Sequence, residues 1–319
     1  MQVSCVAAIS VAAVFLALFT VAAEGKNNYH GIALSPYQKN PANATCRSVD
    51  ELNTIVAKIA DEGFKSIELE YLGYECQPSS ISTVYAAAKK HNVVVQPTLF
   101  LNYALADNKT DYELQRKALL DAVAQHPEVT DVFLFGGEAI NRRTDTEANL
   151  RVAFDSLVKD LAKAGFKGRS TINEPVDASL AVAMCDLDFL GISLDPWYEY
   201  DPPGPSNVTE WMVGRITNLR KLCPKTKIHV TRFGWTSNAT EWGPIKPSLE
   251  SMGQAFHGVN AAIGNGTFGS IPFTAWEYDD QLWKFATDFL AAAKVGTFVE
   301  RYYGLFDKPG FSFDDQVAK

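Results

Sequence analysis

The chain has 319 residues, 47% of them hydrophobic and 21% charged, which excludes a disordered tail or a collagen-like repeat. Its 29 basic against 37 acidic residues leave a net charge of −8, so no basic face for nucleic acid is expected and a neutral partner suits the surface better.

Residues 1–23 are apolar or small and uncharged, and the run from Val11 closes on Val21-Ala22-Ala23. Small residues at that place predict signal-peptidase cleavage, with Glu24 as the new N-terminus and a mature domain over 24–319. No second hydrophobic segment follows, so no membrane span is expected, and the protein reads as secreted, extracellular or in a cell wall. Beyond Cys5 the cysteines are four: Cys46, Cys76, Cys185 and Cys223. An even number suits an oxidising compartment, and the local pairing would join Cys46 to Cys76 and Cys185 to Cys223. Sequons begin at Asn43, Asn108, Asn207, Asn238 and Asn265, which predicts a glycosylated surface.

Short apolar runs then alternate with longer helical patterns. Strands are predicted over 28–35, 64–72, 93–101, 130–138, 168–174, 187–195, 227–235 and 270–277. Helices are predicted over 49–62, 80–91, 113–125, 147–164, 208–221 and 247–262, the first opened by a capping box in which Ser48 and Glu51 each satisfy a free amide. Val93-Val94-Val95 and Val132-Phe133-Leu134-Phe135 are apolar on both faces, as parallel strands covered on both sides must be. Eight such units fit an α/β fold, a single (β/α)8 TIM barrel. A doubly wound open sheet is the alternative, but no Gly-x-Gly-x-x-Gly turn follows the first strand.

In such a barrel the C-terminal strand ends carry the chemistry. Here they hold Tyr37, Glu70, Tyr71, Asn102 and Tyr103 from the first three strands, then Glu138, Asn173-Glu174, Asp195 with Trp197 and Tyr198, Arg232 with Trp235, and Trp276-Glu277 with Asp280. Carboxylates interleaved with Trp and Tyr are what a sugar site needs: aromatic faces cover apolar sugar faces, and carboxylates bond hydroxyls or move protons. The five histidines show no paired metal spacing, so neither a metal nor a cofactor is expected.

Phe135-Gly136-Gly137-Glu138-Ala139-Ile140-Asn141-Arg142 is similar to a V-G-N/S-E-A-L-x-R motif, and Val230-Thr231-Arg232-Phe233-Gly234-Trp235-Thr236-Ser237 to V-x-E-T-G-W-P-S. Trp276-Glu277-Tyr278-Asp279-Asp280-Gln281-Leu282-Trp283-Lys284, then Tyr303-Gly304-Leu305-Phe306-Asp307, is similar to F-E-A-F-D-E-x-W-K…W-G-x-F. On these the chain resembles glycoside hydrolase family 17, the fungal-type cell-wall endo-1,3-β-glucanases and glucanosyltransferases, over nearly all of its mature length. The resemblance implies a monomer that takes β-1,3-glucan or a related oligosaccharide, with Glu138 as acid/base. It implies a substrate cleft drawing on Tyr37, Glu70, Tyr103, Glu174, Asp195, Trp197, Tyr198, Trp235, Trp276, Asp280 and Lys284.

Two departures stand at the centre. The family's nucleophile, a strand-7 glutamate, is Arg232 here. A guanidinium stays protonated, cannot attack, and opposes the positive charge of an oxocarbenium-like transition state. Gly137 stands where the family carries Asn or Ser. Glu277 is the carboxylate that could substitute, paired with Glu138 at the wider spacing of an inverting mechanism. Glu174 is a further candidate, since Asn173-Glu174-Pro175 resembles the acid/base motif of related barrels, but the strand count puts it on strand 5. Two readings follow: a β-1,3-glucan-acting enzyme with altered machinery, or a silent glucan-binding or decoy protein that keeps the barrel.

Overall fold

Eight short strands, each buried along most of its length, pair in parallel and in chain order until the first meets the last. They are β1 (Gly31–Leu34), β2 (Ser66–Leu69), β3 (Val94–Phe100), β4 (Val132–Gly136), β5 (Arg169–Pro175), β6 (Phe189–Leu194), β7 (Lys227–Gly234) and β8 (Phe273–Trp276). The result is the expected TIM barrel. The computed structural model describes residues 27–38, 45–70, 72, 76, 79–101, 103–175, 182–199, 201–239, 246–282, 284, 301–306, 308–309, 311 and 313. The predicted signal peptide, Asn43, Tyr71, Asn102, Trp283 and Asp307 lie outside these residues.

The helices between the strands are α1 (Val49–Asp61), α2 (Ser79–His91), α3 (Lys109–Gln125), α4 (Glu147–Lys163), α5 (Val208–Leu222) and α6 (Leu249–Gly264). Each shows why its segment is helical. In α1, Leu52, Ile55, Val56 and Ile59 recur at one face and are buried, while Asp50 and Glu51 occupy the first turn and Lys58 the last, matching the helix dipole. In α4 the buried face is Leu150, Phe154, Leu157 and Leu161, entered through Thr146, whose hydroxyl accepts from the Asn149 amide at 3.3 Å. The expected capping box of α1 is only half present. Ser48 Oγ accepts from the Glu51 amide, but the Glu51 carboxylate turns to Arg47 and Gln38, because a guanidinium one turn back is the stronger donor.

Alternation along β4 divides the interior. Phe133 and Phe135 point outward into the large core between strands and helices, where Phe135 packs against Phe154 and Tyr112. Val132 and Leu134 point inward and form a separate small cluster with Phe189. Further along the strands the barrel interior turns polar: Glu68, Thr98, Asn173 and Thr231 are all buried there.

Both expected disulfides are present, Cys46–Cys76 and Cys185–Cys223. The first staples the loop after β1 to the loop after β2. Its neighbour Arg47 is buried and reaches the loop after β8, donating to both oxygens of Asp279 at 2.6 and 2.8 Å. Asn207, Asn238 and Asn265 are exposed, and Asn108 is half-buried with its carbonyl accepting from the Asp111 amide as the cap of α3. No described helix is long and apolar enough to cross a membrane.

Candidate active site

The mouth of the barrel is built where β4 and β7 end. After β4 the chain takes three successive residues through positive φ: Gly136 at 93°, Gly137 at 59° and Glu138 at 66°. For a glutamate this is the left-handed region, which side chains avoid, and it aims the Glu138 side chain off the strand direction. The carboxylate is half-buried and forms no hydrogen bond to any described residue.

Gly137 answers one of the two departures. A Cβ placed there would lie 2.3 Å from the Phe100 ring, and Arg142 lies over the same ring at 4.5 Å while donating to the Gly137 carbonyl at 2.9 and 3.1 Å. Phe100 and Arg142 together fill the space a side chain at 137 would use. Gly137→Ser is therefore expected to cost about 1–3 kcal/mol in urea unfolding, through overpacking and positive φ together. Most of the overpacking part should be regained in a Phe100→Ala background; an equal loss in both backgrounds would contradict this account.

Arg232 sits at a register shift in β7. Ile192 pairs with Val230 but Ser193 with Arg232, so Thr231 is the extra residue of a bulge. The guanidinium lies 3.9 Å from the centre of the Trp276 ring, 5.9 Å from that of Tyr303 and 3.6 Å from an Asp195 oxygen. Asp195 also accepts from the Tyr303 hydroxyl at 2.9 and 3.1 Å and from the Trp197 amide at 3.1 Å. Guanidinium, carboxylate, indole and phenol thus hold one another in place.

The other carboxylates are mostly committed. Glu277, with 1% side-chain exposure, takes both its bonds from Lys284 Nζ, at 2.8 and 3.0 Å. Burial pushes its carboxyl from 4.5 up to about 8, with Lys284 pulling down and Glu70 and Asp279 pushing up. Glu174 is wholly buried at the end of β5, its two oxygens accepting from the amides of Ile140 and Asn141 at 3.0 and 3.1 Å. Burial raises it to about 7 against those two bonds, and nearby Glu138 adds to the rise. Asp280 accepts from the Gly304 amide at 2.9 Å and from Lys308. Glu70 is buried.

Glu68 is the residue that sequence reading missed. It stands on β2, buried, one oxygen accepting from Thr98 at 3.0 Å and the other without a partner among the described residues. Burial and then Glu70 raise its carboxyl well above the usual range; Thr98 and Arg232 act against this, and Glu138 adds to it. That one group feels Glu70, Arg232 and Glu138 together marks the centre of the site. The signal was available, since Ser66-Ile67-Glu68-Leu69-Glu70 alternates and puts every second residue on the inner face.

Packing buries four of the aromatic residues expected at the cleft. Trp197 and Trp235 are not open stacking faces: each is buried, their rings meet edge to face at 6.0 Å, and the Trp235 indole donates to Ser251 on α6. Trp276 does face the site, but it is 1% exposed and carries Arg232 and Lys284 on its ring, at 3.9 and 4.6 Å. Tyr37 is buried beside the backbone bridge to Cys46. Tyr103 and Tyr198 remain open, 57% and 38% exposed.

The sequence profile of the BtgE/BtgC glycoside hydrolase domain matches residues 31–304, the whole of this barrel. The chain belongs to that family. Among solved structures it is similar to an active-site mutant of a Rhizomucor miehei β-1,3-glucanosyltransferase in complex with laminaritriose. Identity there is 15%, covering 90% of this chain and 97% of that one, with a TM-score of 0.67. It is also similar to an endo-laminarinase from Formosa Hel1_33_131, at 13% identity over 88% and 84% of the two chains and a TM-score of 0.64. A β-glucuronidase from Dictyoglomus thermophilum superposes at 12% identity and a TM-score of 0.59, over 88% of this chain and 48% of that one. At these identities the likeness is one of fold. No curated protein matches the sequence.

Proposed function

We propose that this glycoside hydrolase domain binds β-1,3-glucan at the mouth of the barrel and does so without the two-carboxylate displacement of retaining glycosidases. The observation that carries the reading is Arg232, ion-paired to Asp195 and stacked on Trp276 at the β7 position where the family 17 resemblance expects a nucleophile. A guanidinium there can donate to sugar hydroxyls but cannot attack an anomeric carbon. Among the described residues, Tyr103 and Tyr198 are exposed rings able to cover a sugar face. The glucan-acting relatives in fold support the substrate class. Secretion and glycosylation belong to the same reading, on the apolar residues 1–23, the two disulfides and the exposed sequons.

A second reading, hydrolysis by altered machinery, draws on Glu138. Its half-buried carboxylate, without a hydrogen bond among the described residues, is available to move a proton, with Glu277 as the other carboxylate. Glu277 held by Lys284 on both oxygens favours the first reading. Laminaritriose calorimetry and product release from laminarin, on wild type and Glu138→Gln, separate the two. Binding without products is expected. Products that vanish in Glu138→Gln would establish the second reading, and neither binding nor products would sink both.

A further inference from the structure

The two residues that set the charge of the site both sit on irregular backbone. Glu138 is the third of three residues with positive φ, and Arg232 follows the bulged Thr231. Backbone of this kind persists only where its surroundings over-determine it. One element, the end of β5, reaches both.

Asn173 and Glu174 grip the β4 turn from below. The Asn173 carbonyl accepts from the Glu138 amide at 2.8 Å, and the Glu174 carboxylate accepts from the next two free amides, Ile140 and Asn141. The side chain of Asn173 points the other way, across β6. There its Oδ1 lies 2.5 Å from the hydroxyl of Thr231, which also lies 3.1 Å from the Ile192 carbonyl. Residue 191 on β6 lies in between and is a glycine. A Cβ on it would sit 2.6 Å from Thr171, 3.4 Å from Thr231 and 3.5 Å from the Asn173 oxygen. The missing side chain opens the path by which β5 reaches β7. Asn173, Glu174 and Thr231 are all buried, so none of them is an exposed sugar contact.

We infer that Asn173 and Glu174 are positioning residues that fix the Glu138 turn and the Arg232 bulge as one unit, through backbone amides on one side and Thr231 on the other. Glu174 thereby has a role other than the substrate contact that sequence suggested for it. The unit is also sensitive to pH. Ionised Glu174 is the stronger acceptor for the two amides, and its titration to about 7 is set by burial, by those amides, by Glu138 and by Arg142. Lowering the pH below that value loosens the turn that carries Glu138.

Amide hydrogen exchange tests this without any ligand. In Glu174→Gln, Ile140 and Asn141 should lose protection at least about tenfold at pH 8, and distinctly less at pH 6, where the wild-type carboxyl is itself protonated. Strand amides of β2 and β3 should keep theirs. In Thr231→Val, the Arg232 Nε–Hε resonance, displaced by the Trp276 ring, should move toward its free position. If Glu174→Gln fails to fold, the wild-type pH series at the same two amides carries the test. Unchanged protection at Ile140 and Asn141, or a loss spread evenly over the barrel and independent of pH, would overturn the inference. Laminaritriose binding adds a second readout, which rests on the proposed function. Glu174→Gln should weaken binding in wild type and weaken it distinctly less in a Glu138→Gln background, and equal losses in both would overturn the positioning role. A wild type that binds no laminaritriose counts against the functional reading alone and leaves the exchange data to decide this one.

Discussion

Arg232→Glu is expected to start product release from laminarin in a protein that otherwise shows none. The substitution puts a carboxylate at the end of β7, facing the mouth that Glu138 enters from β4. Retaining chemistry asks for two such groups about 5–5.5 Å apart, one neutral and one ionised. The gain should be on the order of a hundredfold or more over wild type, the scale on which one positioned acid–base partner contributes. It should vanish when Glu138→Gln is added. The surroundings resist the change, however. Arg232 is a cation whose field, with the Thr98 hydrogen bond, opposes the rise that burial, Glu70 and Glu138 impose on Glu68. Exchanging it for a carboxylate gathers four acids, which pushes their protons on more firmly and delays ionisation of the new nucleophile. The rise of activity with pH should therefore lie high in Arg232→Glu and move lower when Glu68→Gln is added. Reducing-sugar release across pH 4–8 on the three variants is the measurement. A folded Arg232→Glu protein that stays silent in both backgrounds would show that more than the nucleophile has been lost. A wild type that already cleaves at the same rate would show that Arg232 is tolerated.

The reason for this resistance also explains what the sequence could and could not disclose. All eight strands were legible, because parallel strands covered on both faces are apolar runs and the helices between them keep a clear face, as Leu52, Ile55, Val56 and Ile59 do. Their bounds differ by a few residues: β8 spans Phe273–Trp276 rather than 270–277, and β5 runs one residue beyond 168–174. The site was legible as a set of strand ends but not as a set of contacts. Strand parity could have corrected part of that. With Arg232 facing the mouth, Phe233 and Trp235 share the opposite side, and both are buried outside the strands, Phe233 against Tyr29 and Phe256 and Trp235 against Ser251. The same rule applied to β2 would have found Glu68. Parity fails at Trp197, which lies beyond β6 in the 3-10 turn Pro196–Tyr198, and its burial depends on tertiary packing with Trp235. Nor could spacing foresee that Arg232 and Lys284 would both settle on Trp276, since that contact joins β7, β8 and the segment after it.

That shared cluster makes Lys284 the position where substitution should cost most stability. Lys284 and Glu277 are 4% and 1% exposed at their side chains, so each charge depends on the other. Removing one partner of a buried pair costs about 3–5 kcal/mol, because the remaining charge is stranded away from water. Lys284→Met keeps the bulk and strands Glu277. The cost should depend on pH, and its sign follows from the carboxyl. Burial raises Glu277 from 4.5 to about 8, so between those values the folded protein keeps a proton that the unfolded chain has released. Stability from this group is complete below 4.5 and is lost as the pH climbs through about 8, and Glu174, raised to about 7, acts in the same direction. Without Lys284 the carboxyl rises further, so at pH 5 it stays neutral and the variant should be only mildly weakened, while above about 8, where the wild-type carboxyl ionises against Lys284 and the variant's does not, the loss should grow with pH toward about 3–5 kcal/mol. Urea unfolding of wild type, Lys284→Met and the double variant Glu277→Gln with Lys284→Met reads this directly. The double variant should regain most of the loss at pH 8.5 and respond less to pH than wild type. A loss of equal size at both pH values, or a double variant weaker than the single one, would mean that Lys284 contributes by filling space over Trp276 rather than by holding the charge of Glu277.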